Sequence, residues 1–479
     1  MRSIFTSLQI AFSAVLTSIF PGHNHGQHDG LNTTTRDVAI IGGGSTGTYA
    51  AIKLLDQGHS VIVVEATDRL GGHTETYHDP ATGGRIEIGV QMFHDMDVVK
   101  KYFGRFNIEL TKMYLFSTEE NTTTTNVNLA AGKLVESYVP PSPQDIRAAM
   151  QAYAYILFKY GYLQGGFDLP NPVPEELLIP FGEFVEKNGL QAMVQIAFMV
   201  CQGLGDILTV PTIYVMQNLG LDLLMNIQNG FLTTARGDNS EIYEKATVEL
   251  LAKSSVLLNS RVSCANRNKR DKDGYLSVTV RTGNSPNKKI IRAKQILITI
   301  PPTLETLAPF HLDATEKSIF GRFKWVSYLT GILKNVGIPT NTNFVNVNPA
   351  NKYGLPKLPG LYGLYATIVP GLTGLKYAST TKVSKKDAKK DILDTVAQLR
   401  RNKVITGAEE EPEFVAFSDH SPFDMMVERA DIEDGFYRRM YGLQGKRGTW
   451  WTGAAWFVPD SSLLWEFTEG VLVRLVKEL

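Results

Sequence analysis

Val38-Ala39-Ile40-Ile41-Gly42-Gly43-Gly44-Ser45-Thr46-Gly47, led in by Thr35-Arg36-Asp37, is the most informative stretch of this chain. Four consecutive apolar residues predict a buried parallel strand. The glycines follow at once with the spacing G-x-G-x-x-G. Thr48-Tyr49-Ala50-Ala51-Ile52-Lys53-Leu54-Leu55 then carries a helical apolar period, with a stop at Gly58. Val61-Ile62-Val63-Val64 predicts a second buried strand, and Glu65 ends it. Each part has a task in binding a dinucleotide. Gly42 permits a tight turn out of the strand, Gly44 lets the backbone approach a pyrophosphate, and Gly47 allows close helix–strand packing. The helix N-terminus offers free N–H groups and a positive dipole end to phosphates. Glu65 can hold the ribose hydroxyls. A glycine triplet alone is a weak signal; the full strand–glycine–helix–strand–acid unit is a strong one.

Outward from this unit, composition narrows the function. The chain has 479 residues, 43% hydrophobic and 20% charged, which suits a large folded core and excludes a disordered protein. Its 48 basic and 48 acidic residues cancel, so no basic field exists to hold nucleic acid or an anionic membrane. At the N-terminus, Arg2 precedes an apolar stretch from Ile4 to Phe20 that Pro21 ends. Residues 1–20 read as a secretory signal peptide, too short and too polar for a stable membrane span; a short interfacial anchor is the alternative. The triplets at Asn32 and Asn121 would accept glycans in that compartment. Cys201 and Cys264 are the two cysteines and read as buried free thiols. The His/Gly/Asn-rich segment from His23 to Thr35 reads as a disordered leader rather than a metal site.

The dinucleotide unit fits NAD or FAD equally. Past Glu65 comes Ala66-Thr67-Asp68-Arg69-Leu70-Gly71-Gly72-His73-Thr74. A second glycine pair brings another backbone close to the ligand, and Arg69 can neutralise pyrophosphate charge or pair with Glu65. This R-x-G-G element resembles the flavin-containing amine oxidase superfamily, and Arg85-Ile86-Glu87-Ile88-Gly89-Val90-Gln91 resembles the next segment of its pattern. The resemblance implies FAD, with Arg69, Gly71 and Gly72 against the pyrophosphate and ring and residues 85–91 under the flavin. It also implies that Val262, ending the predicted strand from Val256, binds the adenine through its backbone. The strand from Ile290 to Ile300 ends in Pro301-Pro302, as in that superfamily's return to its second domain. Thr449-Trp450-Trp451-Thr452-Gly453-Ala454-Ala455 precedes a final helix, roughly 463–478, and the resemblance places Gly453 and Ala454 at the flavin with the helix N-terminus aimed at it. A helix dipole there favours the negative charge of a reduced flavin. No second G-x-G-x-x-G unit is present, so dioxygen is expected as electron acceptor.

The middle of the chain is more specific. Phe167-Asp168-Leu169-Pro170-Asn171-Pro172-Val173-Pro174-Glu175-Glu176-Leu177-Leu178, the following Ile179-Pro180-Phe181-Gly182-Glu183-Phe184-Val185, and Gly71 to Tyr77 together resemble the β-cyclopiazonate dehydrogenase (oxidocyclase) family. That resemblance implies a fungal enzyme of secondary metabolism that oxidises a prenylated or terpenoid intermediate, often with ring closure. From the residues themselves, Ser142-Pro143-Gln144-Asp145 is a capped helix start. Leu190 to Leu204 and Ile213 to Ile227 predict further apolar helices, whose methionines and aromatics suit a small hydrophobic metabolite.

The expected fold is α/β: a Rossmann-type FAD-binding domain (36–105, 235–303, 440–479) interleaved with a mixed α+β substrate domain (106–234, 304–439). The catalytic residues are unassigned, with two weak candidates. His73 stands where amine oxidases usually carry Arg, and as an imidazole it can bond covalently to a flavin ring methyl or hydrogen-bond to the ring. Lys324 loosely matches a flavin-facing lysine of amine oxidases, although a lone lysine usually points to solvent. Trp450, Trp451, Trp456 and Trp465 could wall a flavin, while core packing is expected for at least two of them. The alternatives are a plain amine or amino-acid oxidase, which needs a substrate-binding arginine or aromatic cage, and a flavin-binding protein without turnover.

Overall fold

The computed structural model describes residues 32–115, 122–407 and 409–479. The predicted signal peptide and Asn121 lie outside them. Three separated stretches of chain build one seven-stranded sheet and its flanking helices. In chain order these are β1 (Asn32–Ile41), α1 (Ser45–Asp56), β2 (Val61–Val64), α2 (Glu241–Ala252), β3 (Val256–Leu257), β4 (Ser260–Asn266), β5 (Leu276–Thr282), β6 (Lys288–Ile298), β7 (Thr449–Trp451) and α3 (Ser461–Val476). The strand order is β4-β5-β6-β1-β2-β3, and β7 pairs with the C-terminal end of β6. The β6, β1, β2, β3 and β7 pairings are parallel; β4–β5–β6 is an antiparallel meander.

The apolar run in β1 is buried on both faces, as a central parallel strand requires. Val38 and Ile40 join the core under α1 and α3, while Ala39 and Ile41 join the core shared with the second half of the molecule. The period of two along a strand makes that division. The second sheet has eight strands, mostly antiparallel. Its order is Glu413–Asp419, Lys324–Lys334, Leu372–Ser379, Gly360–Ala366, Thr342–Asn346, Thr123–Asn128 and Lys133–Leu134, with Phe423–Met426 also paired to Lys324–Lys334. A group of short helices between Pro143 and Asn229 packs over this sheet and the first one's edge. The helix Pro143–Leu157 begins at Ser142, whose Oγ accepts the Asp145 N–H at 3.1 Å.

Several expectations need correction. The leader is not unstructured to Thr35: β1 starts at Asn32 and pairs with β6 from Lys289. The two long helices are broken. The first is the α-helix Val194–Val200 after a 3₁₀ turn; the second is split at Leu219-Gly220 into Thr212–Asn218 and Leu221–Asn229. Apolar composition masked the break, because a buried bend and a buried helix read alike. Met193 and Met216 are core residues, but Met199 and Met225 are exposed. Both cysteines are free; Cys201 is buried, whereas Cys264 is half-buried with its Sγ 3.3 Å from His311 Nε2.

A buried ion pair ties the sheet to the second half. Arg267, at the end of β4, is fully buried and meets both Glu316 carboxyl oxygens at 2.7 and 2.8 Å. Its Nε donates to the Phe310 carbonyl at 2.9 Å, and its guanidinium lies 5.9 Å from the Trp451 ring centre. Arg447 Nη1 also meets Glu316 Oε2 at 2.7 Å, so removing Arg267 leaves the buried carboxylate one of its two cations and takes the partner from Oε1. Arg267→Met should therefore lower unfolding stability in urea by about 3 kcal/mol. Arg267→Met/Glu316→Leu should recover part of the loss, Arg447 being nearer to solvent; no recovery would show that the loss is packing around Trp451 or the stranding of Arg447.

Candidate active site

The parallel strands of the first sheet end together at a cleft of about 1070 Å³, including its open mouth. Open α/β sheets bind ligands at this edge. One wall is the Gly42–Gly47 turn with Glu65. A second is Gly71–Thr74, and a third is Thr452–Trp456 with Ser461 and Leu464 of α3. Thr299–Pro302 and Pro422–Met425 complete it.

The glycines divide by the reason they are needed. Gly42 has φ +103°, and a Cβ there would lie 2.7 Å from Thr299 and Ile300. A Cβ on Gly47 would come within 2.0 Å of the Gly42 carbonyl oxygen. Those two serve the fold. Gly44 is different: its φ is −65°, and a Cβ would meet nothing nearer than the Gly72 Cα at 3.9 Å. The side chain would project into the cleft, so its absence matters to whatever fills the cleft. Gly44 also caps α1 without a side chain, which leaves the first-turn N–H groups facing the cleft.

Glu65 accepts the Gly43 N–H at 2.7 Å, the Thr67 N–H at 2.7 Å and the Thr67 hydroxyl at 2.8 Å. It is thereby fixed at the cleft wall with lone-pair capacity left for a diol. Arg69 does not pair with Glu65. Its guanidinium meets Glu75 at 3.0 Å and donates to the Gly72 and Thr74 carbonyls at 2.9 Å, bracing the glycine loop. Ser45 Oγ joins three elements: it accepts from Tyr243 and Trp465 at 3.0 Å and donates to Ser461 at 2.9 Å.

His73 opens on the cleft, where its side chain is exposed, with protein packed behind its ring. Its ring lies 4.9 Å from that of His420, edge to face, and 5.9 Å from that of Phe423. Burial pushes His73 down to about 3, helped by His420; burial likewise brings His420 down to about 4. Both imidazoles are therefore neutral at physiological pH, with basic nitrogens. His420 Nε2 stands 3.0 Å from both the Thr330 hydroxyl and the Ile88 carbonyl. Gly453 and Ala454 line the cleft. Val262 is a partly buried residue of β4 opposite Val280 and is not among those lining the cleft.

Lys324 does not face the cleft. It is the first residue of the strand Lys324–Lys334, is mostly exposed and pairs with Glu428. Lys376 of this half is partly buried, and desolvation brings it down to about 8; its Nζ is 3.5 Å from Gln91 Oε1. All four C-terminal tryptophans are buried, and only Trp456 among them lines the cleft. Sequence reasoning missed His420, Phe423 and Asp424, which no local motif marks.

Comparison with known proteins agrees with this geometry. Residues 46–318 match the family described as flavin containing amine oxidoreductase. The chain is 37% identical to the FAD-dependent oxidoreductase oblC of Cochliobolus heterostrophus, covering 93% of this chain and 92% of that one. It is 35% identical to the beta-cyclopiazonate dehydrogenase of Aspergillus flavus, covering 93% and 95%. Among solved structures, a fatty acid isomerase from P. acnes that produces CLA superposes with TM-score 0.72 at 20% identity, over 92% of this chain and 98% of that one. A putrescine oxidase superposes with TM-score 0.61, over 93% and 100%. FAD is thus the cofactor, and the side-chain-free approach at Gly44, the open helix end and the fixed Glu65 fit its pyrophosphate and ribose.

Gly44→Val tests that fit. The variant should fold with a thermal midpoint within a few degrees of the wild type yet purify without visible flavin and fail to take up added FAD. Retained yellow colour would mean that the pyrophosphate lies elsewhere.

Proposed function

Because the chain belongs to the flavin-containing amine oxidoreductase family and, within it, to the group of the beta-cyclopiazonate dehydrogenases, we propose that this FAD-dependent oxidoreductase acts in fungal secondary metabolism. Its substrate is a prenylated or terpenoid intermediate, which it dehydrogenates, with ring closure where an internal nucleophile is in reach. The observation that carries this reading is the character of the cleft away from the glycines. Ile300, Pro301, Pro302, Pro422, Phe423, Met425, Trp456 and Leu464 line it, and among the described lining residues there is no arginine or lysine. Such walls select a neutral, apolar ligand. An amino-acid oxidase would need a cation for the substrate carboxylate, and the lining offers none.

Bound FAD supplies a two-electron acceptor for a hydride from an activated C–H bond, allylic, benzylic or beside nitrogen. The protein's share is to fix the ribose at Glu65, hold the pyrophosphate at the α1 N-terminus and keep water from the apolar walls. His73, a neutral imidazole, meets the flavin by a covalent bond to a ring methyl or by a hydrogen bond. Dioxygen takes the electrons at the end and leaves as peroxide.

Purified FAD-loaded protein, mixed anaerobically with prenylated indoles, β-cyclopiazonate and simple terpenoids, should lose its flavin absorption with at least one of them and form peroxide on admission of air. Bleaching by simple primary amines or amino acids instead would replace this reading with a plain oxidase. Acid precipitation of the same sample separates the two roles of His73: flavin in the pellet means attachment, and a yellow supernatant means a hydrogen bond.

Routing through the secretory pathway is a further part of the proposal, supported by the apolar stretch 4–20 and the sequons at Asn32 and Asn121. Protein from the native host should lose mass on treatment with an N-glycosidase. Unmodified protein retaining residues 1–20 would overturn it.

A further inference from the structure

Dehydrogenation takes a hydride from one atom and a proton from its neighbour. The cofactor accounts for the hydride; the proton needs a basic group in the cleft. Among the described lining residues, Glu65, His73 and Asp424 alone carry ionisable side chains. Glu65 is committed to Gly43 and Thr67 and stands at the ribose end. His73 is taken up by the flavin in the reading above, and its ring packs against those of His420 and Phe423. Asp424 remains.

Its setting is unusual for a carboxyl. It is 7% exposed and has φ +42°, the left-handed region that aspartate and asparagine tolerate better than most residues. Oδ1 receives one long hydrogen bond, 3.4 Å from Asn218 Nδ2, and Oδ2 is buried with no partner. No cation pairs with it. Gly203, φ +107°, makes room behind it: a Cβ there would lie 2.2 Å from the Phe423 ring and 3.1 Å from Asp424 Oδ2. The ionisable groups facing it from the neighbouring elements are Cys201 and Tyr362, both pushed up by burial and both neutral at physiological pH. Tyr362 OH accepts the Gly203 N–H at 3.4 Å. A carboxyl with one oxygen unpartnered at the wall of an apolar cleft is costly as structure and useful as a proton store.

We infer that Asp424 is the catalytic base of the dehydrogenation, taking the substrate proton that leaves as the hydride departs. The inference rests on the oxidoreductase reading above. The X–H bond next to the reacting carbon breaks, its electron pair becomes the second bond of C=X, and a carboxyl oxygen of Asp424 gains the proton. Dioxygen, reduced by two electrons, collects that proton and the hydrogen delivered as hydride, so the products are the dehydrogenated substrate and hydrogen peroxide. Burial brings the Asp424 carboxyl up to about 7, where it exchanges protons readily. The base is the ionised form, so the rate should climb as pH rises through about 7 and then level.

Two measurements test this. Dicyclohexylcarbodiimide, an apolar reagent that adds to protonated carboxyls, should label the Asp424 peptide of the wild-type protein at pH 6, several-fold less at pH 8.5, and not at all in Asp424→Asn. In FAD-loaded enzyme, Asp424→Asn should keep the flavin spectrum, slow anaerobic bleaching by the prenylated indoles above at least about 100-fold and lose the rise with pH. Asp424→Glu, which keeps the carboxyl, should restore part of the rate and the pH dependence. Wild-type bleaching rates in Asp424→Asn, or no pH-dependent adduct at Asp424, would overturn the inference. If Asp424→Asn lost its flavin, the Glu variant and the carbodiimide adduct would carry the decision. A wild-type flavin that no compound bleaches would sink the substrate reading and leave this one to the adduct.

Discussion

The cleft depends on the parallel pairing of β1 with β6 and on how it is finished at Thr299. The Thr299 N–H donates to the Ile41 carbonyl at 3.0 Å, extending the ladder one step past the strand. Its hydroxyl reaches the Ile41 and Gly42 carbonyls at 3.0 Å, where the glycine turn begins. On the far side, the Thr452 N–H donates to the Ile298 carbonyl at 3.1 Å. Residues near positions 41, 299 and 452 are thereby held in one register. The turn that approaches the pyrophosphate, the proline pair that leaves for the second sheet and the Gly453 step before α3 inherit their positions from it. A slip of one residue would turn every buried side chain of β1 to the opposite face.

The electrostatics follow from what this frame leaves out. The phosphate end of the cleft is served by N–H groups and a helix dipole rather than by a bound cation, since Arg69 is turned to the carbonyls of its own loop. Ser45 sits at the centre of that end and ties α1 to α2 and α3 through one hydroxyl, with both acceptor positions and its donor used. At the other end, desolvation outweighs the contacts that oppose it. It keeps His73, His420 and Asp424 toward their neutral forms. A dry, uncharged pocket strengthens each remaining dipole and disfavours water as a competing nucleophile.

The phosphate end was legible in the sequence because its parts are contiguous. One strand, one turn, one helix and one acid lie within thirty residues, and each has a local physical signature. β6 and the final helix could be read for the same reason, whereas the single strand expected from Val256 to Val262 is two, β3 and β4, parted at Asn259 with φ +50°. The opposite end could not. His420 and Phe423 meet His73 from a distant part of the chain, and nothing in His420-Ser421-Pro422-Phe423-Asp424 announces that Gly203 will make room for a carboxyl. Lys324 is paired with Met426 at the very start of its strand, and from that end its long side chain turns to solvent and Glu428. Lys376, from the middle of a paired strand, is partly buried instead.

The same contrast separates binding from chemistry in this molecule. Affinity for a dinucleotide needs backbone geometry, which short motifs encode. Proton transfer needs one group moved off its ordinary acidity, and that requires removing every partner it would otherwise find. Asp424 has been stripped in this way by remote choices: glycine at 203, neutral residues at 201, 218 and 362, and no lysine or arginine along the wall. A cationic amine entering such a cleft would supply the missing partner and drive the carboxyl toward its ionised form. It would then be held as an ion pair, positioned by charge rather than by the apolar walls. A neutral substrate leaves the carboxyl poised, which is the physical reason that an apolar metabolite suits this site better than an ammonium ion.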